Sequence, residues 1–331
     1  MTATPVGRRP ATSYDVAARA GVSRSTVSFI LNGNDARFPE STRQRVLDAA
    51  KELAYQPSLA GRSLASGRSD TIVVLLPNST FGSNLQDVVD EVMVGTRAVG
   101  GNVVVRFAGN TPSATMTAIL ALRPAGVIDL GVLSADERLQ LEGHGIIALP
   151  DAPPGTARDG DGGISEIQAR TLLESGCRTL WFAALADQRL DAYGPGRLAA
   201  LRAFAAGEGL PEPAQVRVPL DLTQATVALG EVLAGDDVPV GVACYNDEVA
   251  LALLAAAREL DVAVPDRLAL VGVDHIPVGQ LWSPPLTTVD VDLRGMVSAI
   301  ASQLRALLGD GEAEQPVQAS PFLTLVRGGT A

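Results

Sequence analysis

From Thr71 onward the chain alternates between short apolar runs and helix-length segments, in two successive series. The first series reads "TIVVLLP", "NVVVRFA", "AGVIDLG" and "GIIALP", with helices expected at about 83–99, 113–122 and 135–143. The second reads "RTLWFAAL", "AQVRVPL", "VGVACYN" and "LALVGVD", with helices expected at about 164–174, 196–207, 224–233 and 247–260. Strand–helix alternation of this kind folds as parallel sheets with crossover helices, and two series predict two doubly wound lobes. A helix at about 292–308 and a last strand at 321–326 are expected to return the chain to each lobe in turn. Ligands in such folds sit at the carboxyl ends of the strands, here a cleft between the lobes. The polar residues at those ends are Asn246 and Asp247 in "CYND", Asp274 in "LVGVD", and Arg197 at the head of "GRLAALRAF". The competing reading of Asn246 and Asp247 is helix capping, and of Asp274 a loop cap. Trp181 and Trp282 read as core or interface residues.

The segment before this alternation differs in charge. Residues 1–68 hold ten Lys and Arg against five Asp and Glu, a net of +5 in a chain whose total is −11, which leaves −16 for the rest. A basic head on an acidic body points to a nucleic-acid partner for the head. Within it, "SYDVAARAGVSRSTVSFILNG" has Val16, Ala17 and Ala20 at helical spacing, then Gly21 as a stop that tolerates a positive φ. Val22 plugs the corner and Ser23 caps a second helix with Val27, Ile30 and Leu31 inside. The other face shows Arg24, Ser25, Ser28, Phe29 and Asn32. This is a helix-turn-helix, whose second helix enters the major groove. A third helix follows in "PESTRQRVLDAAKELAY", with Val46, Ala49, Ala50, Leu53 and Ala54 as its stripe.

"DVAARAGVSRSTVSFILNG" together with "STRQRVLDAAKELAYQPSLAGRSLASGRSDTIVVLLP" resembles the head and hinge of the lactose-repressor (LacI/GalR) family. "VACYNDEVALALLAAARELDVAVPDRLALVGVDHIPVGQLWSPPLTTVDVDL" and "FLTLVRGG" resemble the family's body. The resemblance spans roughly residues 12–331 and is weakest from about 133 to 167. It implies an α/β chain with an N-terminal all-α helix-turn-helix head and a two-lobed, periplasmic-binding-protein-like body with parallel doubly wound sheets. The implied domains are a DNA-binding head at 1–56, a hinge at 57–69 and an effector-binding and dimerisation body at 70–331. Lobe 1 takes about 70–162 and 291–318, and lobe 2 about 163–290 and 319–331.

The resemblance also implies roles. Arg24 and Ser25 occupy base-reading positions, where arginine suits a guanine. Tyr14, Ser23, Thr26, Ser28 and Asn32 are implied phosphate contacts, which fix register. Arg62 and Leu64 belong to a hinge helix that forms on DNA, with Leu64 as the wedge in the minor groove. Phe81, Asp161, Arg197, Asn246, Asp247 and Asp274 are the implied effector contacts, and sugars, whose vicinal diols suit paired hydrogen bonds, are the expected effectors. The implied partners are a pseudo-palindromic double-stranded operator, a small molecule and a second copy of the chain. The implied activity is repression of a catabolic or transport operon. The chain ends soon after "LVRGG" without a heptad helix, so a homodimer is expected.

Five departures qualify the likeness. Phe29 stands where arginine is common and is left with a thymine methyl or the sugar backbone to touch. Gly61 replaces an alanine in the hinge and weakens its helix by about 1 kcal/mol. Leu222 and His275 stand where an aromatic and a second acid are frequent. The 150–165 loop lacks the usual motif, although Asp161 stays a candidate.

Other classes are disfavoured. No run of eighteen apolar residues is present, so no membrane span is expected. The first twenty residues do not read as a secretory signal, which argues against a periplasmic solute receptor. Cys177 and Cys244 are the two cysteines, and His144 and His275 the two histidines. That composition fits a reducing, cytoplasmic compartment, at the nucleoid for a DNA-binding protein, and offers no metal cluster. No cofactor is expected. Neither a G-x-G-x-x-G after the first strand nor a P-loop occurs, nor a Ser/His/acid or Cys/His set, so an enzyme is not expected.

Overall fold

The computed structural model describes residues 11–31, 35–56, 71–78, 86, 90–93, 102–109, 111–150, 163–235, 239–308 and 322–331. Asn32, Gly61, Arg62, Leu64, Phe81 and Asp161, and the hinge at 57–69, lie outside the described residues. So does most of the helix expected at 83–99. The chain divides into two compact units, Met1–Asp70 and Thr71–Ala331.

In the first unit, α1 (Ser13–Ala20), α2 (Arg24–Leu31) and α3 (Glu40–Glu52) close on Val16, Ala17, Ala20, Val27, Ile30, Val46, Ala49 and Ala50. Small residues at 17, 20, 49 and 50 let the helices cross closely. Gly21 adopts φ 66° and ψ 41°, the left-handed turn that ends α1. The Ser23 hydroxyl accepts the Thr26 N–H at 3.1 Å and so starts α2. Three expected core positions differ. Leu31 and Leu53 are only partly buried, and Ala54 is exposed because the chain leaves α3 there at φ 49°.

In the second unit, β1 (Thr71–Leu76), β2 (Asn102–Phe107), β3 (Gly126–Asp129) and β4 (Ile147–Leu149) form a parallel sheet in the order β2-β1-β3-β4. β1 is buried on both faces. Ile72, Val74 and Leu76 pack with Met296, Val297, Ile300, Ala301 and Leu304 of the Leu293–Leu308 helix. Val73 and Leu75 pack with Met116, Ile119 and Leu141 from the helices Pro112–Leu122 and Ala135–Gly143. Two covered faces are why the strand is apolar without interruption.

The other sheet contains β5 (Thr179–Leu185), β6 (Ala214–Val218), β7 (Val240–Cys244), β8 (Leu268–Val273), β9 (Thr287–Val291) and β10 (Leu323–Val326), in the order β10-β9-β8-β7-β5-β6. The helices Ile164–Glu174, Gly194–Gly207, Leu222–Val232 and Asp247–Glu259 flank it. Its core includes Leu172, Phe182, Leu201, Leu229, Val242, Leu253 and Leu270, with Trp181 and Trp282 half-buried against it.

This sheet corrects the sequence reading twice. β9 was not expected as a strand, and β10 pairs with it antiparallel, so the sheet is not wholly parallel. β9 gives no continuous apolar run because it carries Thr287 and Thr288, whose hydroxyls are satisfied inside by distant partners, the first by Ala331 and the second by Asp247. Among the described residues, no helix is long and apolar enough to cross a membrane.

Candidate functional site

The polar face of α2 is the first site. Val27 and Ile30 are buried, so Arg24, Ser25, Ser28 and Phe29 share the opposite side, within about 140° of the helix circumference. Arg24 lies over the Tyr14 ring of α1, its guanidinium carbon 4.0 Å from the ring centre, and its Nε donates to Ser13 Oγ at 3.4 Å. The ring holds a long side chain that solvent would otherwise leave free, and its donor edges stay exposed. The Ser23 hydroxyl is committed to the cap and to Ser25 and Thr26, at 2.7 and 2.9 Å. The predicted residues Tyr14, Ser23, Arg24, Ser25, Thr26, Ser28 and Phe29 are therefore brought together. Nearby charges on the same unit are neutralised by pairing: Arg19 meets Glu52 at 2.7 Å, and Arg43 pairs with Glu40 and, at 3.6 Å, with Asp35.

The reading of α2 missed Arg37. It stacks 3.6 Å from the Phe29 ring centre, and Phe29 is 39% exposed. A residue eight positions away in an irregular segment gives no periodic signal.

The second site lies at the carboxyl ends of β7 and β8. Arg197 donates through one terminal nitrogen to the Tyr245 carbonyl, with the Tyr193 and Tyr245 rings 5.4 and 5.2 Å away. Its Nε is buried without a hydrogen-bond partner among the described residues. Asp274 directly follows β8 at φ 96°, and His275 comes next at φ 49°, an uncommon conformation for residues with a Cβ. Burial pushes the Asp274 carboxyl up to about 6, with Arg197 opposing the shift and Glu248 and Asp290 adding to it. Arg197 and Asp274 thus feel one another's charge.

Asn246 and Asp247 serve the fold. Asn246 is buried and caps the Asp247–Glu259 helix, its side-chain oxygen accepting the Val249 N–H at 3.0 Å. Asp247 is fully buried: one carboxylate oxygen accepts the Thr288 hydroxyl at 2.6 Å and the other the Ile276 N–H at 2.8 Å. It clamps the turn that carries Asp274 and His275, and burial pushes its carboxyl up to about 7. The capping reading fits Asn246, and Asp247 is a positioning group. His275 Nδ1 lies 3.8 Å from the Asp290 carboxylate. Leu222 is exposed at the start of its helix.

The structure adds residues from the first sheet. Tyr193, in the loop after β5, donates its hydroxyl to the Leu130 carbonyl just beyond β3, at 2.7 Å. Asp129, the last residue of β3, is buried, accepts the Val132 N–H at 2.8 Å and pairs with Arg138. Strand ends of both sheets therefore meet at Tyr193. The partners are 63 positions apart in sequence, too far for any local pattern to join them.

A helix-turn-helix unit with an arginine held on its second helix, ahead of a two-sheet α/β unit, defines the class of DNA-binding transcription regulators. Residues 12–58 match the family described as bacterial regulatory proteins, lacI family, and residues 169–331 match the periplasmic binding protein-like domain. The HTH-type transcriptional repressor PurR of Vibrio parahaemolyticus is 30% identical over 302 residues, covering 84% of this chain and 86% of that protein. A LacI family regulator from Silicibacter pomeroyi superposes with a TM-score of 0.76 at 25% identity, covering 97% of this chain and 99% of that one. A transcriptional regulator CelR–cellobiose complex shares the fold at a TM-score of 0.59 and 24% identity, covering 97% and 100%. The chain belongs to the lacI family of bacterial transcription regulators.

Proposed function

We propose that this protein is a homodimeric repressor of a catabolic or transport operon, released from or retained on a pseudo-palindromic operator by a small-molecule effector. The observation that carries the DNA half is Arg24 stacked on Tyr14, with its donor edges exposed beside Ser25 on the open face of α2. A guanidinium so held suits the O6 and N7 of a guanine, a contact worth about 1–3 kcal/mol of discrimination. Ser28 and Thr26, with Asn32, serve phosphates, and Arg62 and Leu64 serve the minor groove. In this proposal 1–56 is the head, 57–69 the hinge, and 70–331 the two-lobed body.

The effector half rests on Arg197, in the first turn of the Gly194–Gly207 helix, and Asp274, just after β8, a donor and an acceptor, with Tyr193 tying in the first sheet. Such a pair suits the vicinal hydroxyls of a sugar. The cellobiose complex of a protein with this fold favours that class. Phe81 and Asp161 complete the proposed lining from lobe 1, while Asn246 and Asp247 hold the frame.

The test is selection of genomic fragments by the purified full-length protein, with and without a panel of sugars. Enrichment of a palindrome that one sugar weakens or strengthens supports the proposal. A palindrome indifferent to every sugar overturns the sugar assignment, and no palindrome overturns the operator assignment.

A further inference from the structure

The loop between β5 and the Gly194–Gly207 helix carries Tyr193 and leads straight into the turn that bears Arg197. Side chains from β6 and from just beyond β7 seat this loop. The Tyr245 hydroxyl donates to the Leu190 carbonyl at 3.2 Å. Arg217 of β6 donates from one terminal nitrogen to the Leu185 carbonyl, at 2.8 Å, and to an Asp191 carboxylate oxygen, at 3.2 Å. Asp191 is 7% exposed, and a buried carboxylate costs much unless it is paired. Burial raises its carboxyl above the ordinary range, while the Arg217 guanidinium, the Gly194 N–H and Arg197 oppose the shift. The second oxygen lies 1.9 Å from where a Cβ on residue 194 would stand, so the carboxylate fills the space that this glycine leaves. It is thereby pressed against the start of the Gly194–Gly207 helix, where open N–H groups and the helix dipole favour negative charge. Tyr193, at the N-cap position, makes no side-chain cap bond, so Asp191 supplies the charge at that helix start. Arg197 lies in the first turn, its own carbonyl accepting the Ser165 hydroxyl at 2.9 Å.

We propose that Arg217 and Asp191 are a positioning pair for effector binding: they fix where the Gly194–Gly207 helix begins, and through it the place of the Arg197 guanidinium. The inference rests on the effector reading above and deepens it. Neither side chain of the pair touches the effector. Arg217 ties the end of β5 to the loop, Asp191 passes that constraint to the helix start, and the first turn aims Arg197. A binding group holds its geometry only when its supporting residues are themselves held, so loosening the pair misplaces the fork.

The experiment uses the full-length protein and titrates glucose, cellobiose and the other sugars of the panel by calorimetry. Arg217→Met keeps the length and loses both bonds. It should weaken the sugar that binds best by about tenfold, the weight of one charge-assisted hydrogen bond from a misplaced Arg197. Asp191→Ala should do the same, whereas Asp191→Asn, which keeps the shape and an acceptor, should retain most of the affinity. Gly194→Ala drives a Cβ into the carboxylate and should also weaken the sugar. Combined with Asp191→Ala it should add nothing, because the space is then empty. In the Arg197→Lys background, Arg217→Met should cost nothing further, since the pair acts through the fork that lysine lacks. Thermal unfolding of each variant checks the fold, and Arg217→Lys carries the same comparison if Arg217→Met does not fold. An equal loss on Arg217→Met in the Arg197→Lys background would make Arg217 an independent contact and overturn the inference. Lowered thermal stability with unchanged sugar affinity would make the pair merely structural and overturn it too. A wild-type protein that binds no sugar of the panel overturns the sugar reading and this inference together, whereas a bound sugar indifferent to the variants overturns only the inference.

Discussion

In the head, the Arg24 guanidinium is exposed, its carbon 4.0 Å from the Tyr14 ring centre, whereas in the body Arg197 is half-buried beside two tyrosines, with one terminal nitrogen already bound to the Tyr245 carbonyl. The contrast teaches how one side chain serves two kinds of partner. An exposed, ring-held guanidinium meets a partner that brings its own acceptors and extends beyond the site, as a duplex does. A half-buried one has been partly satisfied by the fold, its Nε has no partner among the described residues, and in the proposed function a small ligand supplies one. A buried donor left unsatisfied costs about 1–3 kcal/mol, so a ligand that supplies an acceptor there recovers that energy on binding.

Substitutions at the two arginines break this comparison most strongly. Arg24→Ala should weaken operator binding by about a hundredfold, because each of two half-sites loses a base contact. Binding to a scrambled duplex should fall far less, and the thermal shift given by the effector should not change. Arg197→Lys should do the reverse. It keeps the charge, loses the planar fork, and should weaken the effector about tenfold or more by calorimetry while operator affinity without effector holds.

The acids sharpen the comparison through pH. Asp274 is raised to about 6 and Asp247 to about 7, while unfolded aspartates ionise near about 4. Between those values the folded chain holds protons that the unfolded chain has released. The contribution of these two acids to stability should therefore be greatest below about pH 4, fall as pH rises through the folded values, and level off above about 7. Effector affinity should move the other way, rising as Asp274 ionises through about pH 6. Chemical denaturation and calorimetry at matched pH check both signs. Asp247→Asn should flatten the stability curve without removing the affinity change. The smallest effect belongs to Tyr193→Phe, which deletes the one hydroxyl bond to Leu130. It should shift effector affinity by a fewfold, in line with a bond of about 1 kcal/mol, and leave the salt dependence of DNA binding untouched.

Much of this was legible in the sequence, and the exceptions share a cause. Gly21, Ser23 and the stripe at 16, 17, 20, 27 and 30 are local signals, and they placed α1 and α2. Continuous apolar runs placed the strands whose two faces are covered, such as β1. β9 escaped because Thr287 and Thr288 interrupt its apolar character and are satisfied only by partners far along the chain. Asp247 looked like a ligand group because its position at a strand end is visible in sequence, while the Thr288 and Ile276 groups that occupy it are not. Arg37 on Phe29 and Tyr193 on Leu130 are contacts between irregular segments, which no period reveals. Arg24, Arg197 and Asp274 were legible because each sits at the start of a helix or the end of a strand, where the element itself fixes the direction of the side chain.

The most direct measurement compares wild-type affinity for the selected palindrome and for a scrambled duplex of equal length across a salt series. The account predicts a steep fall with salt on both, since both share phosphate contacts. It also predicts a preference for the palindrome of about a thousandfold or more that persists as salt rises. Equal affinity for the two duplexes at every salt concentration would contradict it, because the face of α2 that carries Arg24 would then be reading charge and not bases.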